Sequence, residues 1–100
     1  MKKSITLSLA AALIAAPALG YKQEDLEKLK STMVCVDCDL KEAPLSGANL
    51  IQANLRSADL SKADLTGAVF RGAQLDFTNL SKAIFCNTVM PDGQRIFKDC

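Results

Sequence analysis

Four cysteines carry the clearest chemical potential in the chain: Cys35, Cys38, Cys86 and Cys100. The first two stand in Cys-Val-Asp-Cys, a C-x-x-C spacing shared by redox pairs, zinc sites and structural disulfides. A thioredoxin-like pair needs a βαβ setting, and no such alternation surrounds these residues. A zinc site needs a second matched pair or histidines; Cys86 and Cys100 are fourteen apart, and the chain contains no His. An even number of cysteines in a short exported chain instead suggests disulfides, with three connectivities open to four cysteines. The absence of His also removes the usual triads and general bases. Asp39, Asn49, Asn54, Asp59, Asp64 and Asn79 invite a carboxylate mechanism. Their regular spacing marks them instead as repeat positions, and nothing gathers them into a pocket. No catalytic residue, metal or cofactor is expected.

The element that positions these groups is a run over residues 38–87 with a period of five. Leu or Phe recurs at Leu40, Leu45, Leu50, Leu55, Leu60, Leu65, Phe70, Leu75, Leu80 and Phe85. Two residues before each stands Ala, except at Cys38 and Thr78. A helix wants apolar residues three and four apart, and a strand wants them two apart. A period of five fits neither alone. It fits a short extended segment followed by a corner: Ala and Leu face one side, and the residue between them faces the other. The next two positions are small or polar, as in Ser46-Gly47, Ser61-Lys62 and Thr66-Gly67, which suits turns. Fixed-period self-similarity of this kind signals a repeat architecture.

Ala48-Asn49-Leu50, Ala53-Asn54-Leu55, Ala58-Asp59-Leu60 and Ala63-Asp64-Leu65 match the A-(D/N)-L-x-x pattern of the pentapeptide-repeat family, which the block resembles. The resemblance implies an all-β fold, a right-handed quadrilateral β-helix with four repeats per coil. Coils would lie about 4.8 Å apart, the strand spacing of a hydrogen-bonded sheet. Ten repeats would make about two and a half coils. Residues twenty apart would then stack: Leu40, Leu60 and Leu80; Leu45, Leu65 and Phe85; Leu50 and Phe70; Leu55 and Leu75. Ala at the neighbouring inward position keeps a narrow core from overpacking. On this geometry, bridging the two ends of the solenoid would span about 10 Å, beyond the disulfide reach of about 7 Å between Cα atoms. Cys35–Cys38 and Cys86–Cys100 are therefore the expected pairs. Val69, Phe77 and Ile84 place apolar groups where outward polar ones are usual. They are expected to lie under the C-terminal tail; the alternative is an exposed binding patch.

The flanks complete the organisation. Residues 1–20 read as a signal peptide: Lys2 and Lys3, then an apolar stretch from Ile5 to Ala16, then Ala18-Leu19-Gly20 before Tyr21. The apolar part is short for the roughly 20 residues of a membrane span. There is no Cys at the cut and no twin-Arg pair, which points to general export without a lipid anchor. Residues 21–37 contain a short helix over 22–33, with Leu26, Leu29 and Met33 on one face. It is expected to cap the solenoid, since repeat stacks need their ends covered. In residues 88–100 the period gives way to Met90-Pro91-Asp92-Gly93, a turn signal. This capping tail should fold back, hide Phe85 and be tied by Cys86–Cys100.

The chain has 100 residues and a net charge of +1. Without residues 1–20, ten basic residues would face eleven acidic ones over 80 residues. That balance offers no nucleic-acid footprint. The expected function is a non-catalytic exported protein, a structural or protein-binding module with an unidentified protein partner and no membrane association after leader removal. Its compartment would be the periplasm, a thylakoid lumen in a photosynthetic bacterium, or the medium. Two alternatives remain. Some pentapeptide-repeat proteins mimic DNA and bind DNA gyrase, but mimicry wants a long, acidic, dimeric rod. A periplasmic thiol–disulfide protein would use Cys35 and Cys38.

Overall fold

The structure, a computed structural model, describes residues 18–100. Residues 1–17, which hold most of the expected leader, lie outside the described residues. The chain opens with helix α1, Gln23–Thr32. Its acidic first turn (Glu24, Asp25) and basic last turn (Lys30) complement the helix dipole. Leu26 and Leu29 are buried, and Met33 ends the helix in the left-handed conformation with its N–H on the Leu29 carbonyl. Met33 thus belongs to the cap rather than to the helical face.

Beyond α1 the chain returns over itself every twenty residues. Parallel bridges join Val34 to Asn54, Asp39 to Asp59, Pro44 to Asp64 and Asn49 to Val69, and then Asn54 to Gln74, Asp59 to Asn79, Asp64 to Ile84 and Val69 to Val89. Backbone bonds run both ways between layers: Leu60 N–H donates to the Asn79 carbonyl at 2.8 Å, and Asp59 N–H to the Cys38 carbonyl at 2.9 Å. This is a β-helix-type arrangement built from isolated bridges. Among the described residues, continuous strand pairing is confined to β1 (Thr88–Val89) and β2 (Arg95–Ile96), an antiparallel pair. The ladder is too brief at each side of a layer for longer strands, because a corner intervenes after every third residue.

The corners follow from backbone conformation. Every fifth residue from Asp37 to Asn87 has positive φ, including Lys62 at 61° and Gly67 at 71°. The carbonyl of each inward Leu or Phe from Leu40 to Leu80 accepts the N–H three residues on, as in Leu60 to Ala63 at 3.1 Å. Positive φ at the third residue of such a turn is the type II pattern. Glycine adopts it freely at Gly47, Gly67 and Gly72; most other corners impose it on Glu, Gln, Ser, Lys or Phe at some cost in strain.

The stacked run also extends further than the residues 38–87 read from the sequence. At the start, Cys35 occupies a Leu position and donates its N–H to the Asn54 carbonyl at 2.7 Å. At the end, Thr88 occupies an Ala position, Val89 bridges Val69, and Pro91 accepts from Gly72 N–H at 3.0 Å. Three dissimilar side chains continue the same backbone path, so side-chain identity understated the repeat.

Leu40, Leu55, Leu60, Leu65 and Phe70 are fully buried, as are Ala43, Ala53, Ala63 and Ala68 between them. Each buried Leu contributes about 1.5–3 kcal/mol of apolar transfer. Leu75 and Leu80 are only partly buried. The expectation that the tail covers the outward apolar residues is corrected: Phe77 is 91% exposed and Ile84 is also exposed, while Val69 is half-buried. The tail pairs with the Thr88–Val89 side and with Phe85, and so leaves the Leu75 and Leu80 sides of the last layer bare.

Leu60 lies with a layer on each side and no exposure. Leu60→Ala should therefore cost about 2–5 kcal/mol, as truncations of packed leucines do. Lys62→Ala at the next corner should change stability by about 0.5 kcal/mol or less. Equal shifts in denaturant midpoint would show that the inward assignment is wrong.

Candidate functional site

The repeated polar residues have local partners. Asp39, Asn49, Asn54, Asp59, Asp64 and Asn79 each accept, through Oδ1, the backbone N–H two residues on. These are Asx turns, in which a short side chain does the work of a backbone acceptor. The bond is short at Asp59, where Ser61 N–H donates at 2.9 Å and the Ser61 hydroxyl at 2.6 Å. The Ser61 hydroxyl and backbone bonds hold the Asp59 carboxyl below its ordinary range, because both favour the charged form. The six groups thus brace the corners.

Thr78 and Thr88 stand at inward Ala positions and fill them differently. The Thr78 hydroxyl donates to the Leu55 carbonyl at 2.7 Å, and the Thr88 hydroxyl to the Leu65 carbonyl at 2.7 Å. Thr88 is completely buried; its hydroxyl is tolerated because it is bonded. The break from Ala at residue 78 was visible in the sequence, but not the carbonyl that receives the hydroxyl.

Two carboxylates outside the repeat were not foreseen at all. Asp25, on α1, accepts the Asp39 N–H at 2.8 Å. Asp99, in the tail, accepts the Phe85 N–H at 2.8 Å, while its own N–H donates to the Phe85 carbonyl at 2.8 Å. Each sits at one end of the stack and satisfies a layer-edge group that has no further layer to meet. No local motif announces either, since each partner lies fourteen residues away.

The cysteines lie beside these caps. Cys35 and Cys38 have Cα atoms 5.3 Å apart and form one disulfide; Cys86 and Cys100, at 5.2 Å, form the other. Both separations fall in the usual disulfide range. The first pair is buried under α1, with the Cys35 sulfur 3.3 Å from the Asp25 carbonyl. In the second, Cys86 is half-buried and Cys100 is exposed. Lys98 lies 5.9 Å from the centre of the Phe85 ring and 3.2 Å from Asp99. An ion pair between layers, Arg56–Asp76 at 3.2 Å, is exposed and is worth at most about 1 kcal/mol.

The family model for pentapeptide repeats matches the chain in eight copies, over residues 35–72 and 68–92. No curated protein matches it.

The Phe85 N–H bond and then the Lys98 ammonium hold the Asp99 carboxyl below its ordinary range. A depressed carboxylate stabilises the fold above its unfolded value, about 3.9, and loses that contribution as pH falls through the lower folded value. The Phe85 amide proton shift should therefore titrate with a midpoint below about pH 3.9. Asp99→Asn should abolish that titration. A flat wild-type shift between about pH 5 and pH 2 would exclude the carboxylate bond.

Proposed function

Because the chain belongs to the pentapeptide-repeat family, we propose that it is an exported, non-catalytic repeat protein acting as a structural or protein-binding module. The carrying observation is that all six repeated Asp and Asn side chains are engaged in turns at their own corners. A general acid or base needs a carboxyl aimed at a substrate; these are aimed at the backbone. The family suggests a β-helix-type fold, and the finer architecture proposed is a closed, right-handed, four-sided solenoid. Four corners per twenty-residue return, with parallel bridges on successive sides, support it.

Export rests on the order of residues 1–20 and on two disulfide-bonded pairs, which persist in oxidising compartments. The proposed division of the chain keeps a leader at 1–20, a capping helix and approach at 21–37, the repeats, and a capping tail ending at Cys100. The bare Phe77 corner, beside the partly buried Leu75 and Leu80, is where a protein partner would find apolar surface. A thiol–disulfide role for Cys35 and Cys38 is disfavoured by their burial, since exchange needs an accessible sulfur. Gyrase mimicry is disfavoured by the near-neutral charge.

Sequencing of the protein recovered from the producing cell should begin at or near Tyr21, in the exported fraction. An intact Met1 in the cytoplasmic fraction would refute export. The purified oxidised protein should show no disulfide reductase or isomerase turnover and should not inhibit gyrase supercoiling. Turnover lost in a Cys35→Ser, Cys38→Ser double variant would overturn the non-catalytic assignment.

A further inference from the structure

The two disulfides lie at opposite ends of the stack, and their surroundings differ. Cys35 and Cys38 are both buried beneath α1. Cys100 is exposed and Cys86 is half-buried. Thiol–disulfide exchange begins when a thiolate reaches one sulfur, so access separates labile from inert bridges. What each bridge holds differs too. The Cys35–Cys38 link joins residues already fixed by bonds to the layer above, including Cys35 to Asn54 at 2.7 Å. The Cys86–Cys100 link holds the end of the tail, whose other hydrogen bonds to the stack are the Asp99 N–H to the Phe85 carbonyl and the Phe85 N–H to the Asp99 carboxylate. The hairpin before it is tied separately, by β1–β2 pairing and by Met90 N–H to the Gln94 carbonyl at 2.8 Å.

We propose that Cys86–Cys100 is a reducible clasp: an external dithiol opens it selectively, residues 97–100 leave the stack, and the Phe85 edge of the last layer is bared. In the first step a thiolate of the dithiol attacks the Cys100 sulfur. The Cys86–Cys100 bond breaks, and Cys86 departs as a thiolate that takes a proton from water. The second thiolate of the dithiol then attacks the mixed disulfide and releases Cys100. The dithiol leaves oxidised, and two electrons have passed to the clasp. Once the tail departs, Phe85 N–H and carbonyl lose their partners. That side joins the Leu75 and Leu80 sides, whose N–H groups have no protein acceptor among the described residues. Reduction thus converts a half-covered end into an open strand edge on three consecutive sides, a surface able to pair with another chain. The clasp is distinct from catalysis by Cys35 and Cys38 and does not depend on the binding role above.

The test is limited reduction of the oxidised full chain with dithiothreitol, followed by alkylation, peptide mapping and amide exchange. Cys86 and Cys100 should be alkylated at least about tenfold faster than Cys35 and Cys38. In the singly reduced protein the Phe85 amide should lose about tenfold or more of its protection, while Met90 and Leu60 keep theirs. A Cys86→Ser, Cys100→Ser double variant should show the same pattern without reductant. Equal reduction rates, earlier opening of Cys35–Cys38, or an unchanged Phe85 amide would each overturn the proposal. Loss of protection at Leu60 together with Phe85 would also overturn it, since the bridge would then be a staple of the whole fold.

Discussion

The structure depends on one constraint: the backbone of each layer must be hydrogen-bonded by the layer twenty residues away. A layer alone buries few side chains and leaves its N–H and carbonyl groups facing outward from its edge. Stacking resolves both, because the same offset that pairs Asp59 with Asp39 and Asn79 puts Leu60 over Leu40. The offset survives only if each side of a layer has the same length. The five-residue period is that requirement written into the chain. A single insertion would rotate every later Leu off the core, much as a register slip inverts a strand.

The corners show why the polar repeat positions exist. Each corner asks a residue to adopt positive φ, and only three of those between residues 37 and 87 are Gly. At Glu42, Gln52, Ser57, Lys62 and Lys82 the strain is offset by a turn bond across the corner and by an Asx bond leading into it. Asp and Asn suit that slot because their acceptor reaches the N–H two residues on, whereas Glu or Gln would overshoot. A feature that resembles a row of catalytic carboxylates is therefore a row of braces.

A stack of this kind has an unavoidable problem at its ends, where edge groups and core side chains meet no further layer. At the start, α1 lays Leu26 and Leu29 over the core and Asp25 takes the Asp39 N–H. At the finish, the hairpin and Asp99 cover two sides, and Leu75, Leu80 and Phe77 remain open. A disulfide lies beside each cap. In a domain this small, cross-links that restrict the unfolded chain are a common supplement to a limited core. The two ends are thus unequal, one sealed and one half-sealed.

The period of Leu, Ala and Asp or Asn was enough by itself to determine the repeat and its inward face, and the spacing of Leu26 and Leu29 marked the short helix before it. These are local properties, set by side-chain alternation and turn chemistry within five residues, and repetition makes them unmistakable. The ends were decided only by tertiary structure. Met33 through Asp37 and Thr88 through Asp92 lack the pattern's usual side chains, yet they continue its path because neighbouring backbone templates them. Asp25 and Asp99 look like ordinary surface acids until the fold brings each to an N–H fourteen residues away. The course of the tail, and with it the exposure of Phe77, depended on which backbone groups the last layer left unpaired. No spacing in the chain encodes that choice, because it belongs to the edge and not to the repeat.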